Sequence, residues 1–307
     1  MNIIDKKFNH LVKEIKKYDL IDIFNNIKNN YLNLNSNIQL SLEDYFQKFP
    51  YWGKLNKNEN NFDELYNRAL SLKEHIEDYV WLYNKLEDYR SKQILFSILN
   101  NWYQFDFNSL KASYENNYSH YFDLDIIKCN DEVIVDLGAY TGDTIIDYIN
   151  NYGIESYKKI YCYEITEESM KILKNNLKYY PNIEYRNNAA SNALETLFLN
   201  ESEVDSSANM VSNEGVKKIQ AVTLDNDIDD DITLIKMDIE GYEKKALEGC
   251  QNHILKNHPK LLISVYHNHE DLILIPKMIN KLKDDYKFYL RYYGNNIFPT
   301  EVVLIAI

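Results

Sequence analysis

The sequence predicts an α/β fold, a mainly parallel sheet covered by helices and preceded by an all-α region. Three observations carry that reading. Apolar residues up to about residue 118 recur at helical spacing, whereas from about residue 130 short apolar runs alternate with amphipathic stretches. Alternation of that kind implies βαβ units and therefore parallel strands. The last two apolar runs leave no room for a helix between them, so the final strand is expected to pair antiparallel near an edge of the sheet.

In the first region Phe8, Leu11, Val12, Ile15 and Tyr18 follow the i, i+3, i+4, i+7 rule. Phe62, Leu65, Tyr66, Ala69, Leu72 and Ile76 do the same, as do Ile94, Leu95, Ile98, Leu99 and Trp102. Aromatic residues at this spacing are read as helix core rather than a ligand cage. Ser41 with Asp44 three residues on resembles a capping box opening a short helix, and Gly53 to Asn61 reads as a connecting loop. In the second region strands are expected at Val133–Leu137, Ile160–Tyr163, Ile183–Arg186, Thr196–Leu199, Ile219–Val222, Thr233–Met237, Leu261–Tyr266, Phe288–Tyr292 and Val302–Ile307. Helices are expected near 143–151, 167–179, 241–256 and 270–283, and the polar stretch 200–218 reads as an excursion near the site. The chain divides on this basis into a helical domain, 1–118, and an α/β domain, 119–307.

Charge narrows the function. The net charge is -13, and it sits almost wholly in the second region: residues 1–120 hold 15 Lys+Arg against 16 Asp+Glu, residues 121–307 hold 19 against 31. Such a surface repels phosphate backbones, which excludes nucleic acid as the expected substrate. No apolar run approaches the roughly 20 residues of a membrane span. The N-terminus lacks a basic flank and an apolar signal core, so a cytoplasmic protein is expected. Cys129, Cys162 and Cys250 form no C-x-x-C pair and read as small buried hydrophobes.

Candidate chemistry gathers at strand ends, where open α/β sheets bind ligands. After the first strand comes Asp136-Leu137-Gly138-Ala139-Tyr140-Thr141-Gly142-Asp143, a D-x-G-x-x-x-G-D pattern rather than the dinucleotide G-x-G-x-x-G. Gly138 lets the backbone pass close to a ligand, and Gly142-Asp143 opens a helix whose free N–H groups favour a carboxylate. The next strand ends in Glu164, 26 residues after Gly138, where a carboxylate can accept from both hydroxyls of a ribose. Asn187-Asn188-Ala189-Ala190 offers amides and small side chains beside a flat base. A later strand exits at Asp238-Ile239-Glu240-Gly241, two acids suited to a divalent metal, a substrate hydroxyl or proton removal. His267 and His269 follow the next strand, and an imidazole there suits a general base.

Taken together, D-L-G-A-Y-T-G-D-T, Y-C-Y-E, I-K-M-D-I-E-G-Y-E-K-K-A-L-E-G and H-P-K-L-L-I-S-V-Y-H-N-H-E-D-L resemble the FkbM family of methyltransferases, over about residues 120–307. The resemblance implies a Rossmann-like, seven-stranded, mainly parallel sheet with an antiparallel last strand, and S-adenosylmethionine as cofactor. It implies that Asp136, Gly138 and Gly142 hold the methionine part, Glu164 the ribose and Asn188 to Ala190 the adenine surround, with the D-x-E-G-x-E segment facing the transferred methyl; Ala139, Tyr140, Asp143 and Asp238 are further expected cofactor contacts. It further implies O-methylation of a sugar or natural-product hydroxyl. Ile165 departs from the proline the family often carries after the ribose acid.

A hydroxyl is a weak nucleophile at neutral pH, so His267 is assigned as base, with Asp238 and Glu240 as ligands of substrate or metal. Competing readings are a methyltransferase acting on protein, lipid or a small metabolite, and a non-catalytic scaffolding subunit. The N-terminal helices are expected to serve as a substrate lid or as a homodimer interface.

Overall fold

The computed structural model describes residues 1–200, 210–212 and 217–307. The expected excursion over 200–218 lies for the most part outside the described residues. The chain forms two compact units, each discontinuous in sequence: Met1–Glu115 with Val265–Lys277 and Lys287–Leu304, and Asn116–Ser264 with Met278–Tyr286 and Ile305–Ile307.

The first unit contains α1 (Ile3–Lys17), α2 (Leu20–Leu32), α3 (Ser36–Lys48), the two-residue strands β1 (Leu55–Asn56) and β2 (Asn61–Phe62), α4 (Asp63–Glu74), α5 (Ile76–Lys85), α6 (Tyr89–Gln104) and α7 (Phe107–Lys111). Asn2 and Asp5 close a reciprocal capping box at the start of α1, and Lys16 and Lys17 complement the helix dipole at its end. Its buried face is Ile4, Phe8, Leu11, Val12 and Ile15, whereas Tyr18, expected in that stripe, lies past the helix end and is exposed, as is Tyr66 of α4. Ser41 does not cap a helix. It lies inside α3, which Asn35 caps one and a half turns earlier, and its hydroxyl donates to the Asn37 carbonyl at 2.9 Å. The Gly53–Asn61 loop carries a minimal antiparallel pairing of β1 with β2.

The same unit holds a fully buried ion pair, Arg68 Nε to Glu64 Oε1 at 2.5 Å, with His269 Nε2 3.3 Å from the same oxygen. The guanidinium lies 4.8 Å from the Phe105 ring centre and 5.2 Å from that of Phe298. His269 thus has a structural role. Asp271 accepts from the backbone and side-chain N–H of Asn268, both at 2.9 Å, and opens α13 (Asp271–Leu282).

The second unit begins its regular structure with β3 (Glu132–Leu137), α8 (Asp143–Tyr152), β4 (Tyr157–Tyr163), α9 (Glu167–Leu177) and β5 (Ile183–Arg186). After an excursion through β6 (Ala189–Ala190), β7 (Glu195–Asn200), β8 (Met210–Ser212), β9 (Lys217–Val222) and α10 (Leu224–Asp227), it returns as β10 (Leu234–Met237), α11 (Glu243–Glu248), α12 (Gln251–Asn257) and β11 (Lys260–Ser264). With β12 (Phe288–Tyr292) and β13 (Val302–Ala306), the strands form a seven-stranded, mostly parallel sheet of order β12-β13-β11-β10-β3-β4-β5, its last strand antiparallel. β3 pairs parallel with both β10 and β4, and all four residues of β10 are buried, as in a sheet covered on both faces.

Two expectations change here. The runs at 196–199 and 219–222 leave the main sheet for a second one of order β6-β9-β7-β8, where β7 pairs antiparallel with β9 and with β8. The helix expected over 241–256 is two, α11 and α12, meeting at Gly249, where a side chain would come within 2.0 Å of the Ser191 carbonyl oxygen. That close approach needs glycine and a turn.

Candidate cofactor cleft

Strand order reverses between β3 and β10: β4 and β5 follow on one side of β3, β10 and β11 on the other. Ligands of open α/β sheets bind at such a point. A cleft of about 620 Å³ opens there, its walls being the exits of β3 (Leu137, Gly138, Tyr140), β4 (Tyr163 to Thr166), β5 (Asn188 to Ala190) and β10 (Asp238 to Glu240, with Tyr242). The apolar side of the small sheet, Ala189, Leu197, Leu199, Ile219 and Ala221, packs on Ile165 and Tyr242 and so fixes the wall beside Asn188.

The β3 exit is built for close approach. Gly138 and Ala139 both donate to the Tyr163 carbonyl, at 3.0 and 2.9 Å, which ties the loop to β4. Gly138 has φ +78°, and an added Cβ would lie 1.9 Å from the Asp238 carbonyl oxygen. Tyr140 and Glu240 also have left-handed backbones, φ 44° and 55°. Non-glycine residues held so cost on the order of 1–3 kcal/mol each and concentrate at binding sites.

Glu164 joins two walls. Its carboxylate accepts from Tyr140 N–H at 2.9 Å and from Thr166 N–H at 2.7 Å, and the Thr166 hydroxyl adds a further bond. Burial holds this carboxyl above the usual range, against the lowering effect of Thr166 and Tyr140. Affinity for S-adenosylmethionine is therefore expected to fall as pH drops through a value above 4.5. A raised folded-state pKa makes the stability contribution of Glu164 present at low pH and lost as pH rises. Ligand binding runs the opposite way, so stabilisation by ligand grows with pH over the same window. Titration calorimetry of the wild type and of Glu164→Gln checks this: the variant should bind weakly and lose the acid dependence.

Asp136 is fully buried and does not line the cleft. Its Oδ1 lies 3.1 Å from Lys236 Nζ on the neighbouring strand, and that ammonium also donates to the Gly138 carbonyl at 2.8 Å. Burial raises the Asp136 pKa while Lys236 lowers it, leaving it above the usual range. Burial pulls Lys236 down, but Asp136 and Asp238 outweigh it and hold the ammonium charged. Asp136 acts on the loop through Lys236. Ala139 is buried behind the loop, while Gly142, at φ +86°, opens α8 without a side-chain cap. Asp143 is exposed on the first turn of α8.

Sequence reasoning missed Lys236, His120 and Tyr121. A lysine within an otherwise apolar strand was the available signal, since buried lysines are paired. Tyr121, with φ 71°, donates its hydroxyl to Asp238 Oδ2 at 2.5 Å. His120 stacks on the Tyr121 ring with centroids 4.1 Å apart and planes 4° apart. Burial, partly offset by Asp238, lowers the His120 pKa to about 4, so its imidazole is neutral at pH 7. Tyr121→Phe should lower turnover about tenfold while leaving cofactor affinity within twofold, the cost of one hydrogen bond to a charged group being about 1.5–3 kcal/mol. Steady-state kinetics with a separate binding measurement read both. His267 belongs to the other unit, where it is buried with its ring 4.2 Å from that of Tyr266.

A buried acid at the end of the second strand, a glycine turn on the first and a small-residue wall on the third are the arrangement expected of the Rossmann-like class of S-adenosylmethionine-dependent methyltransferases. The sequence profile of the Methyltransferase FkbM domain matches residues 136–294, just over half the chain. The chain belongs to the FkbM methyltransferase family. Among solved structures it is similar to the methyltransferase FkbM from Methylobacillus flagellatus, with 24% identity and a TM-score of 0.67. The match covers 78% of this chain and 62% of that one. Looser likenesses are an rRNA methylase from Streptococcus thermophilus (16% identity, 58% of this chain, 87% of that chain, TM-score 0.38) and Aeropyrum pernix fibrillarin with natively bound S-adenosylmethionine (12%, 58%, 67%, 0.35). No curated protein matches the chain. Among the described residues no helix is long and apolar enough to cross a membrane.

Proposed function

We propose that the protein transfers a methyl group from S-adenosylmethionine to a hydroxyl of a sugar, glycan or related natural product. The observation that supports this best is the clamped Glu164 carboxylate facing the same cleft as Asp238 and Glu240. Glu164 would hold the ribose, the wall from Asn188 to Ala190 the adenine, and the loop from Gly138 to Tyr140 the methionine part. When bound, the cofactor supplies an electrophilic methyl on a sulfonium. Asp238, oriented by Tyr121, and Glu240 would accept from the acceptor's hydroxyls and align one of them for in-line attack. Loss of the hydroxyl proton needs an acceptor. His120 is our assignment, because its ring stacks on Tyr121, whose hydroxyl reaches Asp238. His267 is the candidate read from the sequence. His120→Ala and His267→Ala, with cofactor affinity measured for each, separate the two: the base is the one whose loss lowers kcat and leaves binding intact. We also propose Asp238 and Glu240 as the seat of any divalent cation the reaction uses, and turnover unchanged after EDTA dialysis removes that role.

The deciding experiment incubates the protein with methyl-labelled cofactor and extracts of the host's glycans, proteins and lipids, then identifies by mass analysis what gains a methyl. Label in glycan supports the proposal. Label confined to protein, lipid or small metabolites replaces the acceptor class but not the cofactor.

A further inference from the structure

A second concavity lies wholly within the helical unit, an open groove of about 1100 Å³ between α1, α2 and the end of α6. Its lining is unusual in composition. Carboxamides dominate: Asn25, Asn26, Asn29 and Asn30 on α2 and Gln104 at the end of α6. Asn25 and Asn29, like Asn26 and Asn30, are four residues apart and so share one helix face, while Ile23, Ile27 and Tyr31 occupy the buried face of α2. Tyr18 and Tyr103 add two aromatic rings, Glu14 and Asp22 two acids, and His10 one imidazole. Among the described residues, no lysine, arginine or aliphatic side chain lines the groove.

That set selects among ligand chemistries. Phosphates, carboxylates and nucleic acids need cationic donors, and here they would meet two acids instead. An apolar helix or a lipid chain needs aliphatic walls. A carboxamide presents two donors and an acceptor with two lone pairs, which matches neighbouring hydroxyls that each donate and accept. An aromatic face, negative at its centre, attracts the weakly positive C–H face of a sugar ring. Asn30 is already fixed, its amide donating to the Tyr103 carbonyl at 3.2 Å, and Gln104 donates to Asn100 at 2.8 Å, so part of the lining is held in place before any ligand arrives.

We infer that the groove formed by α1, α2 and the end of α6 binds a neutral oligosaccharide. The inference rests on the lining of this groove and not on the acceptor class proposed above, although a glycan acceptor would be bound by it in part. The test uses the full chain without cofactor and an array of neutral oligosaccharides of four or more residues, with spermine and an acidic oligosaccharide as controls. At least one neutral glycan should bind, with saturation transfer from tyrosine protons. Asn25→Ala with Asn29→Ala should weaken that binding at least tenfold while leaving helix content and S-adenosylmethionine affinity unchanged, both sites being exposed and alanine favouring the helix. Binding of spermine or the acidic glycan alone, of no neutral glycan, or with equal strength in the double variant overturns the inference. Methyl transfer to glycan extracts is read separately, so a failure of the acceptor proposal leaves this result standing, and the reverse.

Discussion

Gly138→Ala is expected to abolish measurable S-adenosylmethionine binding and to destabilise the fold. The left-handed backbone at φ +78° costs an alanine about 1–2 kcal/mol. The larger effect is steric: the new methyl would sit 1.9 Å from the Asp238 carbonyl oxygen, backbone against backbone, with no flexible side chain to yield. Relief requires the β3 and β10 exits to move apart, and such overpacking typically costs about 1–3 kcal/mol more. A shift of about 1 Å at a positioned site is worth on the order of 100-fold. Gly153→Ala is the control. Its φ is +84° but nothing lies within 4 Å of the added methyl, so it should show the conformational cost alone and bind cofactor normally. Urea denaturation and calorimetry on both variants check the contrast.

Lys236→Met should be the most destabilising single change at the site, by about 3–5 kcal/mol, because it leaves the Asp136 carboxylate buried without its partner. Asp136→Asn combined with Lys236→Met should recover part of that loss, since no charge then remains buried. The pH dependence distinguishes this from simple loss of packing. In the wild type the folded-state pKa of Lys236 is raised, so its contribution is present below 10.5 and lost only as pH rises through the folded value. In Lys236→Met the remaining carboxyl, already raised by burial, takes up a proton more readily still, so the variant should lose stability as pH rises from the acid side. A double-mutant cycle at two pH values gives the coupling directly.

Much of the fold was legible because strand and helix periodicity is local. The expected strand at 133–137 lies within β3, and those at 183–186 and 288–292 coincide with β5 and β12. What periodicity does not encode is partnership. Nothing near residues 196–199 or 219–222 says that they pair in a sheet of their own, because β7 finds β9 through the register from Glu195 opposite Ala221 to Leu199 opposite Lys217. Ser41 and Asp44 have the spacing of a capping box, yet Asn35 caps first and the helix runs through them. At the site, Glu164 and the Gly138 loop were readable from residue type at a strand end, and both line the cleft. Asp136, expected as a cofactor contact, is buried and paired with Lys236, whose ammonium donates to the Gly138 carbonyl. Tyr121 was invisible: it lies 117 positions from Asp238, in a segment without helical or strand periodicity.

The central claim, that the cleft between β3 and β4 is a cofactor site for S-adenosylmethionine, is tested most directly by thermal unfolding with and without that compound and its demethylated product. A ligand at one hundred times its dissociation constant adds about 2.7 kcal/mol of stability. Both compounds should raise Tm in the wild type, and neither should in Gly138→Ala or Glu164→Ala. No shift in the wild type with either compound, or an equal shift in the variants, would contradict the assignment.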